Sequence, residues 1–153
     1  MVQQQIETRC NRRHKNLVKL IVIILWGLFL LLNTWTESIE KLMYLHTFGF
    51  KWIPNPDFLS FFNFNDFTAF HPEFIKVKLG HFIGFAVLDL LLLYLLKSHK
   101  YSIGISIGFA FITEFVQLFF GRDGRLYDLA IDSLGILSVF FIVKILRYYG
   151  TMR

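Results

Sequence analysis

The chain has 153 residues, which is enough for one soluble domain or a small helical bundle. Hydrophobic residues make up 55% of it, Phe alone occurs 19 times and the mean hydropathy is +0.52, whereas charged residues account for only 18%. A soluble domain of this size could not bury so much apolar surface. The composition therefore excludes an ordinary soluble fold and indicates a protein that lies in a lipid bilayer.

The net charge of +5 does not indicate a nucleic-acid-binding protein. Such proteins collect their basic residues on one polar face, whereas here they cluster at the ends of apolar runs, where membrane topology is encoded. The single cysteine, Cys10, excludes an internal disulfide, and we assign it no role. No nucleic-acid partner is expected.

Four apolar stretches follow one another along the chain, at residues 17–35, 79–96, 101–120 and 126–146. Each is close to the roughly 20 residues that a helix needs to cross about 30 Å of hydrocarbon. No small-residue cleavage pattern follows the first stretch, so we expect a retained helix and not a signal peptide. The prediction is an all-α, polytopic membrane protein with four transmembrane helices.

The expected organisation has five parts. They are a basic N-terminal arm (1–16), transmembrane helix one (17–35), a long loop (36–77), a three-helix transmembrane region (78–147) and a C-terminal tail (148–153). Ten basic residues lie in the arm, the link between helices two and three, and the C-terminal end, against six on the opposite side. The positive-inside rule therefore predicts that both termini are cytoplasmic, with the long loop and the turn at 121–125 outside.

The long loop is rich in aromatic residues. Its rings form a dense run broken by polar residues, at Phe58, Phe61, Phe62, Phe64, Phe67 and Phe70. This run is too short and too polar to span a bilayer. Two interpretations remain open: an interfacial or re-entrant segment with rings at headgroup level, or simple packing over the outer mouth of the bundle.

Two acidic residues within the apolar stretches need an explanation, because a charge at mid-bilayer costs roughly 2.5–3.5 kcal/mol. Glu114 lies about 9 Å below the outer end of helix three, at a rise of about 1.5 Å per residue, too deep for a capping or snorkelling role. Asp89 lies further down and is expected to serve helix packing or to carry a proton.

Polar residues recur in pairs at the outer ends of helices two, three and four. Spacings of three or four residues put both members of a pair on one helix face. The pairs are Lys78 with His81, Glu114 with Gln117, and Asp128 with Asp132. Arg122 and Arg125 lie on the turn above them. We therefore expect the pairs to converge at one level near the outer face.

Several of these residues also have a simpler explanation. Asp128 could be a helix N-cap, and Asp132 a carboxylate favoured by the helix dipole. His81 could be a neutral, hydrogen-bonded histidine. Arg122 and Arg125 could be interfacial anchors, which is the favoured explanation for Arg125. Glu114 is the residue that no such explanation covers.

Three roles for the polar residues remain open. They could bind a phosphate-bearing lipid headgroup, with Lys78, His81 and Arg122 as the anion partners. Alternatively, the acidic residues and His81 could form an acid/base or metal site acting on that headgroup, or the whole set could be a structural ion-pair network. The chain has no nucleophile motif, phosphate-cradling glycine loop or helical metal-ligand spacing. We therefore favour binding over catalysis, and expect no cofactor and no metal.

The same residues resemble those of a known family. The pattern runs Lys78-Leu-Gly-His81-Phe82, then Glu114-Phe-Val-Gln117, then Gly121-Arg122, Asp128, Asp132 and Gly135. In this order and spacing it resembles the VanZ-like membrane proteins, over about residues 76–135. Two positions depart from the pattern: Asp132 stands where members more often have Asn, and Ser138 is the nearest candidate for a small residue one turn after Gly135.

The resemblance implies a bacterial cytoplasmic-membrane protein without a settled biochemical activity, from a family named for low-level resistance to the glycopeptide teicoplanin. The leading hypothesis is a non-enzymatic envelope protein that binds an anionic lipid or a lipid-linked cell-wall intermediate and so alters glycopeptide susceptibility. Glu114, Gln117, Asp128 and Asp132 would orient the bases that contact the anion. The alternatives are an intramembrane enzyme acting on a lipid phosphate, or an assembly partner of other membrane proteins; self-association is also left open.

Overall fold

A computed structural model describes residues 2–35, 52–63, 72–120 and 124–151. These ranges contain no strand, and their principal elements are four long helices. They are α1 (Val2–Trp35), α2 (Pro72–Leu96), α3 (His99–Gln117) and α4 (Leu126–Thr151). Short 3-10 helices cover Phe58–Phe62 and Leu118–Phe120.

All four long helices are apolar enough and long enough to cross a membrane. The candidate spans are Arg9–Thr34, Ile75–Leu96, His99–Phe120 and Leu126–Gly150. The shortest has 22 residues, or about 33 Å of helix at a rise of about 1.5 Å per residue, against a hydrocarbon layer of about 30 Å. The predicted all-α architecture with four membrane-spanning helices is confirmed.

The helices extend beyond the apolar stretches of the sequence. α1 already begins at Val2, so the basic arm is helical; α2 begins at Pro72, and α4 continues to Thr151. Proline suits the first position of a helix, where its missing N–H would have no intrahelical partner. The apolar pattern marks the hydrocarbon boundary, whereas backbone hydrogen bonding continues past it into the polar flanks.

The core of the bundle lies among α2, α3 and α4, and α1 packs on its side. Phe85, Ala110 and Ile136 are completely buried in this core. Only 11% of the α1 span is buried inside the protein, against 33% for α2 and α3. The indole Nε1 of Trp26 on α1 donates a hydrogen bond to the carbonyl of Gly84 on α2, at 3.0 Å. Most of the α1 surface is therefore left for lipid.

Gly135 brings α4 against the backbone of α2. A Cβ atom at this position would overlap the carbonyl oxygen of Phe82, so no larger residue fits without a shift of one helix. Small residues commonly allow this close approach of membrane helices. The contact lies one turn below Asp132 and sets the distance between the helices that carry the polar residues.

The described part of the long loop, residues 52–63, packs on the end of α3. The amide of Ile53 donates to the carbonyl of Phe119 at 2.8 Å, and the ring of Trp52 stacks on that of Phe119 with centroids 5.5 Å apart. Phe58 stacks on Phe115 at 6.0 Å. Trp52, Phe58 and Phe62 remain 63%, 51% and 62% exposed, so both expected arrangements stay open for this part. Phe64, Phe67 and Phe70 lie outside the described residues.

We predict that Gly135→Ala lowers the free energy of unfolding in detergent by about 1–3 kcal/mol, the usual cost of overpacking. The reason is the overlap with the Phe82 carbonyl. Gly108→Ala is the matched control, because a Cβ atom there meets nothing within 4 Å. Unfolding followed by circular dichroism measures both. Equal stability of the two variants would contradict the close approach of α2 and α4.

Candidate functional site

The ends of three helices bring the paired polar residues together. They lie where α2 begins, α3 ends and α4 begins, and we call them the polar cluster: Lys78, His81, Glu114, Gln117, Asp128 and Asp132. These are six of the seven residues that the sequence singled out as a ligand-binding set. The seventh, Arg122, lies outside the described residues. That the set binds a ligand stays a prediction.

Lys78 on α2 forms an ion pair with Asp128 on α4. The Lys78 Nζ lies 2.5 Å from the Asp128 Oδ1, and the side chains are 17% and 6% exposed. Asp128 stands in the first turn of α4 and not before it, so it acts there as an acid near the positive helix end and not as an N-cap. The Lys78 Nζ also lies 5.0 Å from the ring centroid of Tyr127.

His81 lies between two buried carboxylates. Its Nδ1 is 3.3 Å from the Asp132 Oδ1 and 3.8 Å from the Glu114 Oε1. Both acidic side chains are 0% exposed, whereas that of His81 is 12% exposed. His81 thus contacts acidic residues of two other helices, and Asp132 contributes a contact between α4 and α2.

The carboxylate of Glu114 is held from two further directions. The Gln117 side-chain amide donates to Oε1 at 3.3 Å, from one turn further along α3. The backbone N–H of Arg125 donates to Oε2, also at 3.3 Å. Burying a carboxylate is costly unless hydrogen bonds and charges compensate it. These two donors and His81 offset the cost of burying the Glu114 carboxylate.

The side chain of Arg125 is buried, which corrects the expectation of an interfacial anchor. Only 6% of the residue is exposed, and its guanidinium carbon lies 5.9 Å from the Tyr127 ring centroid. The cause is Gly124, where a Cβ atom would overlap the backbone carbonyl oxygen of Glu114. The chain before α4 is thereby folded onto α3. Gly124, directly before Arg125, is the one feature of the sequence that could have indicated the burial of Arg125.

The bases and the acids of the polar cluster differ in their access to the surroundings. Lys78 and His81 keep 17% and 12% of their side chains exposed, whereas Glu114 and Asp132 keep none. Among the described residues of the polar cluster, the ammonium and the imidazole are therefore the most exposed ionisable groups. Ammonium and imidazole groups are common partners of anions.

Three residues of the polar cluster also suit a metal ion. His81, Glu114 and Asp132 each offer one ligand atom, and these atoms lie within 4.8 Å of one another. The sequence-based expectation of no metal rested on ligand spacing within single helices. These three ligand atoms come from three different helices, which no spacing within one helix could reveal.

Asp89 does not join the polar cluster. It lies eight residues after His81 on α2, or about 12 Å along the helix at a rise of about 1.5 Å per residue. Its Oδ1 accepts a hydrogen bond from the Ser106 hydroxyl at 3.3 Å, and the residue is completely buried. This contact joins α2 to α3 and supports the helix-packing role expected for Asp89.

We predict that Lys78→Gln and Asp128→Asn each lower the free energy of unfolding by about 2–3 kcal/mol, because each leaves a largely buried charge without its partner. The double variant should be less destabilised than the sum of the two. As a control, Asp128→Asn should combine additively with Lys97→Gln at the opposite end of α2. Denaturant unfolding in detergent gives all these values. Additivity of Lys78→Gln with Asp128→Asn would show that the ion pair is not formed.

Comparisons with known proteins agree with the resemblance in the motif. The family model described as VanZ/LLP1 matches residues 17–147. A relative from Bacillus subtilis (strain 168), the uncharacterized membrane protein YwnJ, is 41% identical over 112 residues, which cover 72% of this chain and 79% of that protein. No solved structure matches significantly. The match spans all four predicted transmembrane stretches, and the chain belongs to the VanZ-like family of membrane proteins.

Proposed function

We propose that the polar cluster binds the phosphate of an anionic membrane lipid or of a lipid-linked cell-wall intermediate, and that this binding lowers susceptibility to glycopeptides such as teicoplanin. Lys78 and His81 contact the phosphate in this proposal. Glu114, Gln117, Asp128 and Asp132 orient the two bases. Arg122 remains the third expected anion partner, on the turn outside the described residues.

The order of exposure within the polar cluster carries the proposal. The accessible ionisable groups are the Lys78 ammonium and the His81 imidazole, and the carboxylates lie behind them. Phosphate oxygens accept strong, charge-assisted hydrogen bonds from such groups. A headgroup without a negative charge would bind these two groups more weakly, because it cannot form charge-assisted hydrogen bonds with them.

The position of the polar cluster suits a lipid more than a free solute. It lies at the ends of the membrane spans, where a headgroup would lie while its acyl chains run along the bundle. Leu79, Ile83 and Phe115, next to the cluster, are 55%, 50% and 40% exposed and offer an apolar surface for such chains. Both features support a ligand with a charged head and apolar tails.

The proposal places the polar cluster at the outer leaflet of the bacterial cytoplasmic membrane. The support for this orientation is the excess of Lys and Arg at the N-terminal arm, the α2–α3 link and the C-terminal end. Glycopeptides act on the outer side of that membrane. A lipid held at this face is therefore in the right compartment to change glycopeptide susceptibility.

We predict that the purified wild-type chain binds undecaprenyl phosphate and phosphatidic acid, but neither undecaprenol nor diacylglycerol, which lack the phosphate. Lys78→Gln should weaken phosphate-lipid binding at least about tenfold, because it removes a charge-assisted contact. Lys97→Gln removes the same charge at the opposite end of α2 and should bind normally. Native mass spectrometry of lipid adducts in mild detergent measures these affinities.

Three other outcomes of this binding experiment would contradict the proposal. Equal binding of the lipids with and without phosphate would show that no headgroup recognition takes place. Release of inorganic phosphate by the wild-type chain, lost in Asp128→Asn, would identify an enzyme acting on the headgroup. Absence of lipid binding, together with co-purification of other membrane proteins that depends on the polar cluster, would identify an assembly partner.

We also predict that expression of the wild-type chain raises the teicoplanin concentration tolerated by a sensitive Gram-positive host at least twofold, and that Glu114→Gln does not. This substitution keeps the side-chain volume but removes the charge that faces His81, so insertion should remain normal while binding is lost. Membrane levels are matched by immunoblot. If the Glu114→Gln chain protects the host at equal membrane abundance, resistance does not depend on the polar cluster.

A further inference from the structure

The charge balance in the interior of the polar cluster points to a cation. Asp128 is paired with Lys78, but Glu114 and Asp132 are both fully buried around the single imidazole of His81. Buried carboxylates require paired charges, hydrogen bonds or a metal. Glu114 receives two hydrogen bonds, from Gln117 and from the backbone of Arg125. Fewer groups offset the cost of burying the Asp132 carboxylate than that of Glu114.

Asp132 points a polar group into the cluster that the described residues leave unsatisfied. The residue is 0% exposed, and within the described ranges its Oδ2 has no hydrogen-bond partner. Its Oδ1 faces the His81 Nδ1 at 3.3 Å, so the second oxygen is the unsatisfied atom. Buried polar atoms of this kind are uncommon and commonly mark the place of a water or an ion.

The distances between these atoms match those around a bound metal. Ligand atoms at about 2.1 Å from a tetrahedral metal centre lie about 3.4 Å from one another. The His81 Nδ1 lies 3.3 Å from the Asp132 Oδ1 and 3.8 Å from the Glu114 Oε1. All three ligand atoms lie within 4.8 Å of one another. The third edge, between the two carboxylates, is at most 4.8 Å long and would shorten by up to about 1.4 Å on metal binding.

We propose that His81, Glu114 and Asp132 bind one divalent transition-metal ion, with Zn²⁺ and Mn²⁺ as the candidates. Imidazole nitrogen and carboxylate oxygen are ligands that these ions accept, and one imidazole with two carboxylates brings the charge of the site close to neutral. Three protein ligands leave a further coordination position open. This site depends only on the three side chains, and it goes beyond the proposed lipid binding and does not require it.

Hydrogen bonds from neighbouring groups orient Glu114 for metal binding. Gln117 and the backbone N–H of Arg125 hold the two oxygens of Glu114, which fixes the orientation of that carboxylate towards His81. Hydrogen bonds to metal ligands commonly contribute a factor of 10–100 to metal affinity. Gln117→Leu should therefore weaken metal binding about tenfold or more, without removing a ligand.

The test uses the full-length chain, without an affinity tag, purified in mild detergent and stripped of metal by a chelator. After equilibration with ZnCl₂ or MnCl₂ and removal of free ion, bound metal is counted by inductively coupled plasma mass spectrometry, and affinity is measured by calorimetry. We expect about one ion per wild-type chain. Asp132→Asn and Glu114→Gln should bind at least about 100-fold more weakly, because each removes a charged ligand.

Asp89→Asn is the matched control, since it removes an equally buried carboxylate from α2 outside the polar cluster. It should bind metal as the wild type does, and circular dichroism and gel filtration verify the fold of every variant. Absence of bound metal in the wild type, or wild-type affinity in both Asp132→Asn and Glu114→Gln, would overturn the metal site. If the wild-type chain takes up no added metal but still binds the phosphate lipids, the metal site fails while the proposed function stands.

Discussion

The burial of Glu114 and Asp132 is the constraint on which the arrangement of the bundle depends. Two fully buried carboxylates in an apolar environment need compensating groups within hydrogen-bonding distance. Those groups lie on other helices: His81 comes from α2, and the backbone N–H that reaches Glu114 belongs to Arg125, just before α4. A rotation of any one of the three helices would separate a charge from its partner.

Close packing of the apolar parts makes this arrangement possible. Gly135 lets α4 lie against the carbonyl of Phe82, and Gly124 lets the start of α4 lie against the carbonyl of Glu114. Phe85 and Ile136 fill the space below the polar cluster and are completely buried. Lipid alone supplies little hydrophobic driving force between membrane helices, so small residues and polar contacts define how they pack. Here both kinds of contact connect the same helices.

The proposed lipid and metal sites share His81, with Lys78 on the more exposed side of the polar cluster and Glu114 and Asp132 in its interior. Lys78 and His81 retain exposed atoms, and Glu114 and Asp132 retain none. An ion held by His81, Glu114 and Asp132 would add positive charge close to Lys78, which contacts the headgroup in the first proposal. The two proposals therefore reinforce each other electrostatically, although each is tested by its own measurement. Polar groups within membrane spans are costly, which is why such a cluster is a functional-site hypothesis by default.

The sequence by itself determined the four helices and the level of the polar residues, because both follow from local periodicity. An apolar run of about 20 residues spans the hydrocarbon whatever it packs against, and a spacing of three or four residues puts Lys78 with His81 and Asp128 with Asp132 on one face. Only the tertiary structure decided which residues meet. Helix rotation and the glycine contacts paired Lys78 with Asp128, placed His81 between two carboxylates and buried Arg125. Those choices depend on packing between helices distant in sequence, which no local pattern encodes.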